Sequence, residues 1–483
     1  VTAGDFLALL PFLILAGSSV AVLLAISTVR SHKLAAGMSL TGIAAAFAAL
    51  PAAATAAPRT VTPLLVVDGF TLFFDGLLLA AAFVAAGFAY GYLERRRVRR
   101  EEFYLLVLTA TLGGCILPAS VHFASLFLSL ELLTVSLYAL TAYLRADPMG
   151  IEAGIKYLIL AAVSSSFLLF GGALLYAESG TLVLGRILLA ESAPGGAANP
   201  VLIAAGLAMV LAGLGFKLGV VPFHMWVPDI YQGAPAPVTA FLATVSKGAV
   251  FAALMRIFSL YSVQAEGGLS AALVVIAVFS MFAGNWLALL QTNVKRMLAY
   301  SSIAHFGYLL VALLAAGPDS VTAGALYLAA YFAAVLVAFG VVGSLPDGGG
   351  EAQELEAYRG LFWRRPLAAA AFTAALLSLT GIPLTAGFIG KVYLLLAGAG
   401  SAVWLLAPAL VAASAIGLYY YLRVILTMAR IPETGEEWKT APRGAGAANL
   451  ILAVLALGIL WIGVYPAPVL ELIRGTAAAV LPF

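Results

Sequence analysis

Cysteine is almost missing from this chain: Cys115 is the single one in 483 residues, and it lies in an apolar run. That excludes a disulfide framework and a cysteine-ligated iron–sulfur cluster. Histidine is scarce too. His32, His122, His224 and His305 stand far apart and form no helical His/Glu metal pattern. No Gly-rich dinucleotide fingerprint follows a strand, and no P-loop occurs. Charged residues make up 10% of the chain, where a soluble protein carries about 25%. The net charge of +3 is small and scattered, with no basic tract suited to nucleic acid.

What the chain has in abundance is apolar sequence: 63% hydrophobic residues and a mean hydropathy of +1.07. Such a composition defines a polytopic membrane protein. Runs of about 20 apolar residues can cross a bilayer as helices. Fourteen occur, at roughly 5–28, 34–56, 69–93, 103–119, 121–144, 151–177, 200–232, 236–262, 268–290, 296–316, 320–343, 365–399, 402–429 and 446–470. The first is too long for a signal-peptide core and is followed, not preceded, by basic residues, so it reads as a membrane helix. The expected fold class is therefore all-α with about 14 transmembrane helices.

Charge supplies an orientation. With the N-terminus outside, the inner connections hold sixteen Lys and Arg residues, among them Arg95, Arg96, Arg97, Arg99 and Arg100, whereas the outer ones hold Arg59, Arg186 and Arg474. Cytoplasmic loops carry the positive excess, so both termini are expected on the periplasmic side of a bacterial inner membrane. The inner turn around Asp229 has no basic residue. The stretches 347–356 and 433–443 read as solvated inner loops.

Runs seven and twelve are too long for one straight span, and each holds a proline, Pro222 and Pro383. Proline removes a backbone donor and clashes with the preceding turn. Inside a bilayer the freed groups must be satisfied by protein or water. Each broken run also carries a lysine, Lys217 and Lys391, and Lys247 follows in run eight. Intramembrane lysine is costly and marks a functional site by default. Matching broken helices imply two inverted five-helix repeats, runs four to eight and nine to thirteen. The expected divisions are 1–101 (three helices), 102–264 (first repeat), 265–430 (second repeat) and 431–483 (helix 14).

Several residues stand out singly. Glu131 lies about 15 Å into run five, near the midplane. It is the expected partner of Lys217, either as a switch on that lysine's proton or as a static ion pair fixing helix packing. Lys247 lies equally deep. His305, midway along run ten between the repeats, suits a relay, or is a histidine satisfied by one neighbouring carbonyl. His224 either lines a water path at the break or caps freed carbonyls. Lys156, one turn into run six, is a weaker candidate. Arg256 and Arg423, near run ends, read as snorkelling cations. Tyr419, Tyr420 and Tyr421 either support water near Lys391 or pack. Asp75, an acid inside run three, has no assigned role.

The run GFKLGVVPFHMWVPDIYQGAPAPVTAFLATVSK at 215–247 closely resembles the antiporter-like membrane subunits of bacterial proton-pumping NADH–quinone oxidoreductase (complex I). So do FLSLELLTVSLYAL around Glu131, NVKRMLAYSSIAHFGYLL at 293–310, YRGLFWRRP at 358–366 and GIPLTAGFIGK at 381–391. The resemblance covers nearly the whole chain. It implies that Glu131, Lys217, Lys247 and Lys391 form a hydrophilic axis carrying protons, with Lys391 exchanging with the outer side. It implies that NADH, FMN, iron–sulfur clusters and quinone belong to partner subunits and that this chain holds no cofactor or metal. The expected partners are neighbouring membrane-arm subunits and the lipid bilayer. The N-subunit branch fits best, since the middle subunit typically has glutamate where Lys391 stands and the largest carries a long lateral helix beyond run fourteen. The wider family also contains subunits of multisubunit cation/proton antiporters, which remain the alternative.

Overall fold

The computed structural model describes all residues except 1, 97, 191–198, 261–266, 316–317, 348–349, 400–403, 432–444 and 478–483. Arg97, Lys439, Arg443 and the 433–443 stretch therefore lie outside the described residues. Thirteen described helices are long and apolar enough to cross a membrane. They are α1 (Leu10–Thr28), α2 (His32–Ala54), α3 (Gly69–Glu94), α4 (Glu101–Ala119), α5 (Phe123–Thr141), α6 (Pro148–Ser179), α7 (Pro200–Leu218), α8 (Ala236–Phe258), α9 (Gly268–Leu289), α10 (Val294–Ala315), α11 (Asp319–Ser344), α13 (Leu406–Ala429) and α14 (Gly446–Val464). Two shorter apolar helices, α12 (Pro366–Thr380) and α12′ (Ala386–Ala399), make up the remaining crossing. Each apolar run of the sequence thus becomes a helix or a pair of half-helices.

Local chemistry sets the ends. Proline opens α6, α7 and α12, where its missing N–H costs no helical bond. Asp147 and Asn199 cap the first two by accepting from Met149 N–H and Val201 N–H at 3.1 and 3.0 Å. The two breaks are built alike. α7 ends at Gly219 (φ +71°) and α12 at Gly381 (φ +87°), both left-handed. Val220 N–H returns to Gly215 O at 3.1 Å, and Ile382 N–H returns to Leu377 O at 3.0 Å, the same Schellman-type cap. Beyond the first break a short helix, α7′ (Trp226–Gly233), completes the crossing. A Cβ at Gly219 would meet Val227 Cγ2 at 2.4 Å, so glycine is required there by space as well as by φ.

The centre is buried but polar in detail. α8 is wholly buried and α10 and α11 nearly so, while α1, α13 and α14 turn apolar faces such as Leu24, Leu426 and Leu450 outward. α8 is interrupted by a π-turn over Leu242–Ser246, directly before Lys247. Such turns locally free backbone groups and often accompany functional sites.

Two expectations about charge need correction. Arg256 does not snorkel. It is 1% exposed and binds Asp68 bidentately, at 3.0 and 2.6 Å, across 188 residues of chain. Arg423 instead donates to the Leu289 and Gln291 carbonyls at the end of α9. The acidic stretch 347–356 is not simply solvated either. Its hairpin, β1 (Pro346–Asp347) with β2 (Gly350–Glu351), inserts Glu351 against Lys295 at 2.6 Å, and Tyr92 OH and Ala236 N–H donate to the same carboxylate.

That lock sits at the mouth of α8 and gives a pH signature. Burial alone would raise the Glu351 carboxyl, but the Lys295 charge and three hydrogen bonds hold it below its ordinary value. A carboxyl lowered by folding stabilises above its unfolded value, about 4.3, and loses that contribution as pH falls through the folded value. Glu351→Gln should therefore destabilise by about 3–5 kcal/mol near neutral pH, because buried Lys295 loses its partner. Thermal melts of wild type and variant should converge as the pH is lowered below that range; a constant gap would count against the lock.

Candidate functional site

Lys217 ends α7, where a C-terminal cation meets unpaired carbonyls favourably, and it is 4% exposed. Its Nζ donates to Ser165 Oγ at 3.4 Å, and Ser165 donates to Glu131 Oε1 at 2.5 Å. Glu131 and Lys217 therefore meet through a hydroxyl and not as the direct pair expected. Glu131 is only partly buried. It flanks the outward face of α5 that exposes Leu128, Leu132 and Val135.

An aromatic cluster adjoins the α7 break. Trp226 stacks between Phe216 and Tyr157, its indole N–H fixed on Phe216 O at 2.9 Å. Lys247, fully buried, lies against Gly219 of the break, with Nζ 5.1–5.8 Å from the ring centres of Trp226, Tyr231 and Phe306. Cation–π attraction replaces part of the missing hydration. The ammonium donates to Ser302 Oγ at 2.9 Å, a hydroxyl that also accepts from Tyr331 OH at 2.8 Å.

One turn along α10 from Ser302 stands His305, 3% exposed. Its two ring nitrogens face Tyr327 OH at 2.6 Å and Tyr421 OH at 3.1 Å, and Tyr421 reaches on to Ser301. No carbonyl closes off either nitrogen, so the ring bridges two phenols. A small cavity lined by His305, Tyr327, Tyr331, Ser378, Leu379 and Gly387 leads from the histidine to the α12 break. There Lys391 donates to Leu379 O, Thr380 O and Ser414 Oγ at 3.1, 2.8 and 3.0 Å, under the Tyr308 ring. The broken helix end thus supplies the carbonyls that hold the ammonium, which is why the break and the lysine come together.

The other candidates lie off this line. Lys156 is half-exposed and joins Glu152 (2.7 Å) and Asp229 (2.9 Å), with Arg296 on the other oxygen of Asp229. The acid of the weakly basic inner turn is thereby neutralised from neighbouring helices. His224, beside the α7 break, leaves Nδ1 without a partner, and Pro222 and Pro383 lie exposed at the surface of the chain. Tyr420 and Tyr421 point inward, whereas Tyr419 points out. Sequence reasoning missed Ser165, Ser302, Tyr327 and Tyr331. Adjacent serines in apolar helices, as at 164–166 and 301–302, are the one signal that could have found the first two. Among the described residues no group of three or more His, Cys, Asp or Glu side chains could hold a metal.

Fold and site together define a polytopic helical membrane protein with two half-broken crossings and a buried row of lysines, histidine and hydroxyls. Residues 120–417 match the family model described as the transmembrane region of NADH:quinone oxidoreductase and Mrp antiporters. A protein named NADH-quinone oxidoreductase subunit N from Ectopseudomonas mendocina is 46% identical over 488 aligned residues, covering 99% of this chain and 98% of the relative. The chain belongs to this family of antiporter-like membrane subunits. A chain of respiratory complex I from Thermus thermophilus, solved with bound aureothin, superposes with a TM-score of 0.81 at 36% identity, over 95% of this chain and 98% of that one. A chain of the Mrp complex from a Dietzia species shares the fold, with a TM-score of 0.85 at 21% identity over 99% and 97%.

Proposed function

We propose that this chain is the N-type proton-translocating subunit in the membrane arm of a bacterial NADH–quinone oxidoreductase, seated in the inner membrane beside other antiporter-like subunits. The observation that carries the reading is the buried row Lys217, Lys247, His305 and Lys391, in a chain 46% identical to a relative of that name. Buried amines and imidazole without a direct carboxylate contact are poor structural choices and good proton carriers. Electron transfer from NADH through flavin and iron–sulfur clusters to quinone belongs to partner subunits. It changes the charge state at one end of the row. Protons enter from the inner side near Lys217 and Lys247, pass His305 and leave near Lys391. Glu131, on the outward flank of α5, is placed to sense a charge outside this chain.

The repeat organisation is part of the same proposal: 1–101 as three leading helices, 102–264 and 265–430 as inverted five-helix units, and 431–483 with the last helix. Identical caps at Gly219 and Gly381, each near a lysine, support it. So does the pairing of α4 with α5 and α6 with α7, repeated as α9 with α10 and α11 with α12′. The charge bias supports both termini on the outer side. The 46% identity over nearly the full chain favours this reading over a cation/proton antiporter subunit. The purified chain alone should oxidise no NADH, while the complex containing it should both oxidise NADH and pump. Measurable NADH turnover by the pure chain would overturn the assignment of redox chemistry to partners.

A further inference from the structure

Asp75 takes no part in the row described above, yet among the described residues it is the acid buried completely with both oxygens lacking hydrogen-bond partners. It sits two turns into α3 at 0% exposure, and neither carboxylate oxygen has a hydrogen-bond partner. The nearest charges are Arg256 and Asp68, and the buried thiol of Cys115 lies beside it. Asp68, Thr71 and Asp75 are spaced i, i+3 and i+7, so they share one face of α3, towards α8 and α4. At the far end of that face the charge balance is already closed. Arg256 clasps Asp68 bidentately, donates to Thr71 Oγ1 at 2.9 Å and also reaches Pro118 O. Thr71 in turn is positioned to donate to Asp68 Oδ1 at 3.1 Å or to Val66 O at 3.0 Å, so its hydroxyl belongs to the Asp68 end of the face.

Among the described residues one guanidinium faces two acids, which leaves one acid without a counter-charge. An ionised, unpartnered carboxylate in an apolar interior is far too costly, so the second acid carries a proton. We propose that Asp68, Arg256 and Asp75 form a proton-exchanging triad in which Asp75 is the resting proton site. The exchange is a swap of partners. Arg256 swings from Asp68 to Asp75, the O–H bond of Asp75 breaks, and the carboxylate of Asp68, freed of its cation, takes up the proton. One proton and one cation are present before and after, so the triad stays neutral throughout. The proton moves roughly 10 Å along α3, seven residues at about 1.5 Å each. The π-turn of α8 that precedes Lys247 packs on both α3 and α4, and Arg256 lies on the same helix nine residues later. A shift of α8 that moves Lys247 therefore also moves the guanidinium, which couples the triad to the main row. This role rests on the reading of the chain as a proton-translocating subunit.

The test uses the intact complex in vesicles, with two measurements. Infrared spectra should contain a protonated carboxylic acid C=O band that is lost in Asp75→Asn. The same band should be lost in Asp68→Asn, where Arg256 is released to ionise the native Asp75. Asparagine caps α3 as well as aspartate does, so that variant keeps the helix start. Protons pumped per electron should fall in Asp75→Asn with NADH-to-quinone electron transfer retained. No band assignable to Asp75, survival of the band in Asp68→Asn, or wild-type pumping in Asp75→Asn would each overturn the triad. If Asp75→Asn does not assemble, Asp68→Asn alone decides. Failure here leaves Lys391→Ala as a separate test of the wider reading.

Discussion

Replacing Lys391 with alanine should leave the complex assembled and cut proton flux through this chain by about tenfold or more, a barrier increase of at least about 1.4 kcal/mol. The ammonium at the α12 break bonds Leu379 O, Thr380 O and Ser414 Oγ. Its loss unpairs two carbonyls, at about 1–3 kcal/mol each when nothing replaces the donor. Arginine should not restore flux. Guanidinium does not release its proton at physiological pH. Space is also short, since a Cβ built on Gly381 would lie 2.8 Å from Lys391 Cδ. Proton flux in vesicles, normalised to assembled complex, checks the prediction. Wild-type flux in either variant would exclude Lys391 as a carrier.

Glu131→Gln should impair pumping with normal assembly, and Ser165→Ala should do so more mildly. Ser165 spans Glu131 and Lys217, so their charges lie no more than about 6 Å apart. At an effective dielectric near 20 the attraction is about 3 kcal/mol, an upper figure because Glu131 is partly exposed. That energy corresponds to about a hundredfold change in the proton affinity of Lys217 between paired and unpaired states. A static packing pair would behave differently: Gln would lower assembly, and whatever complex survived would pump normally. The hydroxyl makes a further distinction. If it relays the interaction, Ser165→Thr retains pumping that Ser165→Ala loses. Equal, full pumping in Glu131→Gln and Ser165→Ala would end the switch account.

Much of this arrangement is legible in the sequence because a bilayer restricts the options. Apolar length located the crossings, and Pro222 and Pro383 located the breaks. Depth along each run singled out Lys217, Lys247 and Lys391, since no solvent lies there to excuse a charge. Partners were not legible. Asp68 and Arg256 are 188 residues apart, and helix ends give no sign of whether a cation turns outward or inward, so Arg256 read as a snorkelling residue. Glu351 read as solvated because its loop is polar, though its side chain inserts between helices. The hydroxyls of Ser165 and Ser302 acquire their roles only when α6 meets α7 and α8 meets α10. The outward position of Glu131 depends on helix rotation, which near-uniform hydrophobicity leaves open.

The central claim is that protons travel along the buried row, and Lys247 is its least replaceable member. It is fully buried, without a carboxylate partner, and linked forward through Ser302 and Tyr331 to the ring of His305. The decisive measurement is the number of protons pumped per electron by complex carrying Lys247→Ala, in sealed vesicles, with NADH-to-quinone turnover recorded alongside. The account predicts a lower ratio in a complex that is assembled and still accepts electrons from NADH. An unchanged ratio at normal turnover would contradict it and leave the row a structural feature of the membrane arm.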